Sequence, residues 1–185
     1  MTQTRTVAVL VGSLRQASFT RKVAKALVAL APDTLTFAFV EIGDLVLYNE
    51  ELDAAAPPSW ARFRAAVGAA DAVLFATPEY NRSVPGVLKN AIDVGSRPYG
   101  KSVWDRKPAA VVSVSPGAIG GFGANHHLRQ SLVFLNMPTL QQPEAYIGGA
   151  AKLLDEAGAP ISDGTRDYFK SIMTAFAAWI ERNPV

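Results

Sequence analysis

The stretch TVAVLVGSLRQASFT, residues 6–20, decides the fold of this 185-residue chain. Its first six residues, Thr6–Val11, are a continuous run rich in β-branched side chains, the five after Thr6 wholly apolar, the pattern of a strand covered on both faces. Gly12 and Ser13 end that run. From Phe19 the apolar positions switch to helical spacing, through Val23, Ala26, Leu27 and Leu30, with Ser18 as N-cap and Pro32 as the stop. A buried strand, a short polar loop and an amphipathic helix over residues 19–30 form the first half of a βαβ unit.

The alternation continues along the chain. Strands are expected at residues 35–41, 72–76, 109–114 and 140–146, and helices at residues 60–70, 84–94, 124–135 and 165–182. Pro85 falls in the first turn of the third helix, where a missing N–H costs nothing. Asp163 is the expected cap of the last helix, whose stripe is Phe169, Ile172, Met173, Phe176 and Ile180. The Ala/Pro stretch 53–58 reads as a long surface loop. Strands that alternate with helices pair in parallel through right-handed crossovers. The expected architecture is therefore α/β: one domain over residues 1–185, a doubly wound five-stranded parallel sheet with helices on both faces.

Composition narrows the function. Apolar residues make up 49% of the chain and charged ones 18%, against a usual charged share of about 25%. A chain of this length buries roughly 70% of its extended surface, so it needs no disulfide or metal staple, and it is too apolar for disorder. Cysteine is absent, which removes disulfides, iron–sulfur clusters, thiolate zinc sites and a thiol nucleophile. A net charge of +2 and a pI near 9.0, with Lys and Arg scattered, give no case for nucleic acid. The apolar run near the N-terminus is too short for a signal sequence or a membrane span, so a soluble cytoplasmic protein is expected.

Parallel sheets of this kind bind ligands at the carboxyl ends of their strands, and three loops there are unusual. After strand one, Ser13, Arg15, Ser18 and Thr20 gather hydroxyls and a guanidinium at a helix N-terminus, which suits a phosphate monoester. The loop lacks the Gly-Lys-Ser/Thr ending of a Walker loop and the glycines of a dinucleotide fingerprint. An ordinary capped helix with a surface Arg15 fits the same residues. After strand three, Thr77-Pro78-Glu79-Tyr80-Asn81-Arg82-Ser83-Val84-Pro85-Gly86 holds two prolines that lift the backbone off the sheet, where it can face a planar heterocycle edge-on. After strand four, Ser115-Pro116-Gly117-Ala118-Ile119-Gly120-Gly121-Phe122-Gly123 carries four glycines, which permit close approach to something flat. His126 and His127 point about 100° apart on a helix and cannot chelate one ion together, so no metal is expected.

These segments resemble the flavodoxin-like NAD(P)H-dependent FMN reductases, in particular the bacterial quinone and chromate reductase branch. The matching pieces are Gly12-Ser13-Leu14-Arg15 with Ser18, the run from Pro78 to Gly86 with Leu88-Lys89-Asn90-Ala91-Ile92-Asp93, and Gly120-Gly121 followed by Leu128-Arg129. The resemblance implies a flavodoxin-like sheet of strand order 2-1-3-4-5 and non-covalent FMN. The phosphate is then expected on Ser13, Arg15, Ser18, Phe19 and Thr20, and the ring against Pro78, Glu79, Tyr80 and Asn81 on one side and Ser115, Gly117 and Gly120 on another. It also implies a homodimer or homotetramer with the flavin near a subunit interface. The basic and aromatic cluster that ties the tetramer of some relatives is replaced here by Ala124-Asn125-His126-His127, and Glu144 with Arg82 is the expected substitute pair.

The activity so implied is two-electron reduction of quinones by NADH or NADPH in a ping-pong sequence, with chromate, ferric complexes and azo dyes as further acceptors. Flavin N5 carries the hydride, so no side chain is expected to be catalytic. Tyr48, Asn49, Tyr80, Asn81 and Tyr99 are the candidates for lining the acceptor site. The alternative is a flavodoxin-like electron carrier without nicotinamide oxidation, but such carriers are strongly acidic and this chain is slightly basic.

Overall fold

The computed structural model describes residues 4–185; residues 1–3, the start of the expected domain, lie outside it. Five strands, β1 (Arg5–Val11), β2 (Leu35–Phe39), β3 (Ala72–Pro78), β4 (Ala109–Val114) and β5 (Ala145–Ile147), pair in parallel in the order β2-β1-β3-β4-β5. The fold is the doubly wound sheet that the alternation predicts, in the flavodoxin-like strand order that the resemblance implies. Successive residues of β1 bury on opposite faces, as the pleat requires. Val7, Val9 and Val11 join one core with helices α1 (Phe19–Ala29) and α5 (Asp163–Arg182), around Leu27, Phe169 and Phe176. Ala8 and Leu10 join the other with α2 (Pro58–Gly68), α3 (Gly86–Gly95) and α4 (Phe122–Phe134), around Trp60, Phe63, Phe75, Trp104 and Leu128. No helix among the described residues is long and apolar enough to cross a membrane.

Several boundaries differ from the sequence expectation, each for a local reason. β5 is much shorter than residues 140–146. Leu140 N–H still bonds to the Ala109 carbonyl at 2.8 Å, but Pro143 has no N–H to offer the ladder, and pairing resumes only at Ala145. Residues 53–58 are not a loose loop. A 3₁₀ turn, Glu50–Ala55, is capped by the Asn49 side chain and leads straight into α2 at Pro58. Asp53 fastens it, pairing with Arg64 at 2.9 Å and accepting the Tyr48 hydroxyl at 3.0 Å. The cap of α5 is Ser162, whose Oγ accepts from Thr165 N–H at 3.2 Å, and Asp163 is the first helical residue.

Two buried polar side chains hold the helices at fixed heights on the sheet. Lys107 donates from Nζ to the carbonyls of Gly68 (3.1 Å) and Ala70 (2.5 Å) past the end of α2, and burial lowers its pKa from the ordinary 10.5. Asn125 of α4, wholly buried, gives its amide to Val111, Ser113 and Ala145 at 3.3–3.4 Å and accepts from Arg129 Nε at 2.8 Å. Replacing Asn125 by Leu removes the amide bonds to Val111, Ser113 and Ala145 and leaves Arg129 Nε without its 2.8 Å acceptor. A loss of about 1–3 kcal/mol is expected, read as a lower denaturant midpoint at unchanged slope.

Candidate active site

β1, β3 and β4 are neighbours, and their carboxyl ends lie level: Val11 pairs with Ala76, and Pro78 with Val114. The chain turns to opposite sides at β1 and β3, which opens a crevice between them. The loop after β1 enters it through Gly12, whose N–H bonds to the Ala76 carbonyl at 2.8 Å. Ser18 caps α1 by accepting from Arg21 N–H at 3.1 Å. Ser13 and Thr20 are buried residues whose hydroxyls make no hydrogen bond among the described residues and stay open to solvent, and the first two amides of α1, Phe19 and Thr20, are likewise without an acceptor there. Arg15 pairs with no carboxylate there; its guanidinium lies 5.9 Å from the Phe19 ring centre.

The loop after β3 is a two-residue hairpin. Tyr80 and Ser83 exchange backbone hydrogen bonds of 3.1 and 3.0 Å, and Asn81 (φ 52°) and Arg82 (φ 63°) both sit in the left-handed region, as a type I′ turn demands. Glu79 at its base accepts from Ala124 N–H (3.1 Å) and from Arg82 (2.9 Å), so its carboxylate is fully engaged within the protein.

Ser13, Arg15, Ser18, Phe19, Thr20, Pro78, Glu79, Tyr80 and Ser115 converge on one cavity of about 230 Å³, closed by Val114 and Pro116. Arg15 and Tyr80 also wall a neighbouring apolar cleft of about 440 Å³ with Gly12, Leu14, Pro85, Gly86 and Val87. Larger grooves of 590 and 660 Å³ lie between α3 and α4 and beside the end of α5. Neither gathers unpartnered hydroxyls and amides about a guanidinium, and chemistry rather than size picks out the smaller pair.

Other expected site residues lie elsewhere. Gly117 and Gly120 do not line the cavity. Gly120 (φ 65°) is demanded by the backbone of β5, because a Cβ there would stand 2.6 Å from the Tyr146 carbonyl carbon. Asn81 is at the exposed hairpin tip. Tyr48 is half-buried, stacked on Trp60 at 5.5 Å and bonded to Asp53, while Asn49 caps the 3₁₀ turn. Tyr99 is 92% exposed after α3 and lines neither cavity. Within the chain Arg82 pairs with Glu79, and Glu144 with the Tyr146 hydroxyl, so the two do not meet. Sequence reasoning missed Val114, Pro116, Leu14 and Val87, apolar residues whose types gave no chemical signal. No group of three His, Asp or Glu side chains among the described residues could hold a metal ion.

Residues 5–152 match the family described as NADPH-dependent FMN reductase. The chain belongs to the NADPH-dependent FMN reductases. Among relatives of this reductase, a quinone reductase of Pseudomonas putida is 63% identical over 184 residues, covering 99% of this chain and 98% of that one. A 2-hydroxy-1,4-benzoquinone reductase of Burkholderia sp is 45% identical over 174 residues, covering 94% and 95%. Of solved structures, the flavoenzyme NAD(P)H:(acceptor) oxidoreductase FerB from Paracoccus denitrificans superposes with a TM-score of 0.94 at 43% identity, covering 98% of this chain and all of that one.

Family membership makes FMN the cofactor of this reductase and reduced nicotinamide its co-substrate. The residues present fit a phosphate monoester: two hydroxyls and two amides without protein acceptors, one guanidinium, and a lone carboxylate, Glu79, already neutralised by its partners. Arg15→Ala leaves the fold untouched, since Arg15 pairs with no carboxylate of the described chain. FMN affinity is expected to fall about ten- to hundredfold, the worth of a charge-assisted hydrogen bond, as measured by titrating apoprotein with FMN.

On β5, Tyr146 lies against His126 (3.0 Å) and donates to Glu144 (2.9 Å). Burial first, then the Glu144 carboxylate, push its phenol up from 10.0 to about 12. A raised folded value stabilises the protonated phenol. That contribution is complete below pH 10 and lost as pH rises towards about 12. An alkaline absorbance titration is expected to show a late-ionising tyrosine that disappears in Tyr146→Phe.

Proposed function

We propose that this reductase is a single-domain enzyme, spanning residues 1–185, that uses FMN to pass two electrons from NADH or NADPH to quinones. The observation that carries the reading is the convergence of Ser13, Arg15, Thr20 and the α1 amides on one cavity that shares a wall with an apolar cleft. The quinone reductase names of the relatives at 63% and 45% identity support the acceptor class.

Ser13, Arg15, Ser18, Phe19 and Thr20 hold the phosphate, Arg15 as a fork and the α1 N-terminus as a field favouring negative charge. Pro78, Glu79, Tyr80 and Ser115 bound the remainder of the cofactor, Glu79 through its backbone. FMN, when bound, supplies the redox chemistry, taking a hydride from nicotinamide at N5 and giving two electrons to the acceptor. The chain supplies binding, orientation and partial exclusion of water: Leu14, Tyr80, Pro85 and Val87 offer apolar and aromatic surface to a planar ring. Nicotinamide and quinone use the same opening in turn, which makes the kinetics ping-pong. Chromate, ferric complexes and azo dyes are the further acceptors proposed. Val133 and Phe134, 76% and 86% exposed on α4, form an apolar patch suited to a homodimer or homotetramer. The cytoplasm, where reduced nicotinamide is plentiful, is the proposed compartment.

Anaerobic stopped-flow mixing tests the reading. Reduced nicotinamide is expected to bleach the visible flavin band faster than flavin dissociates, and benzoquinone to restore it, with parallel double-reciprocal lines in steady state. A colourless preparation that takes up no FMN, or a bound flavin that nicotinamide does not bleach, overturns it.

A further inference from the structure

We propose that Glu79 is a positioning residue, clamping the hairpin of residues 80–83 onto α4 and so setting the wall against which FMN is held. The inference rests on the reading of the cavity as the FMN site. It starts from a deficiency in α4. That helix begins at a glycine N-cap, Gly121, with no side-chain cap and no acidic residue in its first turn. Its third amide, Ala124 N–H, is taken instead by Glu79 Oε2 at 3.1 Å, from 45 residues earlier in the chain. The carboxylate is 11% exposed and its other oxygen takes Arg82 Nη1 at 2.9 Å, so one side chain joins the base of the hairpin, its turn and the helix.

Two further contacts run along the same face of α4. Gly123 lies so close beneath the hairpin that a Cβ there would stand 2.8 Å from the Arg82 carbonyl oxygen and 2.9 Å from Glu79 Oε2. One turn on, His127 Nδ1 and Ser83 Oγ are 2.9 Å apart. The hairpin needs this support. Asn81 and Arg82 both hold positive φ without a glycine, a conformation that persists only when its surroundings impose it. Tyr80, 45% exposed on the hairpin, walls both the polar cavity and the apolar cleft, so a shift of the hairpin alters both together.

Apoprotein titrated with FMN, followed by quenching of flavin fluorescence, tests the clamp. Glu79→Ala is expected to weaken FMN roughly tenfold, the scale of a lost cap, while Glu79→Gln, which keeps an oxygen for Ala124 N–H, stays within about threefold. Gly123→Ala should match Glu79→Ala, and the double variant should lose no more than the worse single one, because both release the same contact. Visible circular dichroism of bound flavin should change in Glu79→Ala and Gly123→Ala alone. Lys107→Ala is the control: it weakens the fold away from the hairpin and should leave FMN affinity unchanged. A cap that merely stabilised α4 would lower the unfolding midpoint of Glu79→Ala and leave affinity and dichroism at wild-type values, which overturns the proposal. Amide exchange in the apoprotein reads the clamp without cofactor: Tyr80 and Ser83 N–H should exchange faster in Glu79→Ala. If wild-type protein takes up no FMN, the cofactor reading falls and exchange alone decides the clamp, unchanged rates overturning it.

Discussion

Parallel pairing is the constraint on which the rest depends. Every strand of such a sheet starts at one edge and ends at the other, so every loop that follows a strand emerges on the same side. Register sharpens this: Val11, Ala76, Pro78 and Val114 lie within two pleats of one another at that edge. Three loops far apart in sequence therefore meet without any need to reach. The hydroxyls after β1, the rigid hairpin after β3 and the serine after β4 face one crevice because the ladder leaves them nowhere else to go.

Within that crevice the chain concentrates polar groups that its own hydrogen bonding does not use. The interior is fully reconciled, with no orphaned side-chain nitrogen or oxygen among the buried atoms of the described residues. Asn90, for example, takes Tyr48 N–H at 2.8 Å and gives its amide to the Leu45 and Val46 carbonyls, and Trp104 Nε1 finds the Ile92 carbonyl at 2.9 Å. Against this background, free amides at the start of α1 and a guanidinium without a carboxylate mark a surface shaped for an external anion.

The order of elements was legible because a doubly covered strand and an amphipathic helix have different periods, and Ser18 and Pro32 punctuate the first helix as their chemistry dictates. Most of the crevice was legible too, since Ser13, Arg15, Ser18, Thr20, Pro78 and Tyr80 fall at strand ends where the topology delivers them. The glycines are ambiguous. In sequence, Gly120 looks the same whether a ligand or the backbone of Tyr146 demands its missing side chain. Tyr48 and Asn49 are ambiguous for a related reason: a polar aromatic loop reads the same in sequence whether it faces a ligand or, as here, Trp60 and Asp53. The second role of Glu79 was invisible because the helix it caps begins more than forty residues later.

β1 shows what full coverage implies for alignment of strands. With Val7, Val9 and Val11 buried on one side and Ala8 and Leu10 on the other, sliding the strand by one residue would still hide every side chain, so greasiness alone cannot choose the frame. Polar pins at its beginning make the choice. Thr6 N–H meets Asp71 Oδ2 at 2.7 Å, the Asp71 N–H returns to the Thr6 carbonyl at 2.8 Å, and Arg5 reaches Asp71 and Glu181 at 3.7 and 3.1 Å. A handful of charges at the far margin of the sheet thus act as a ruler, fixing which atoms of Gly12 and Ser13 arrive at the opposite end.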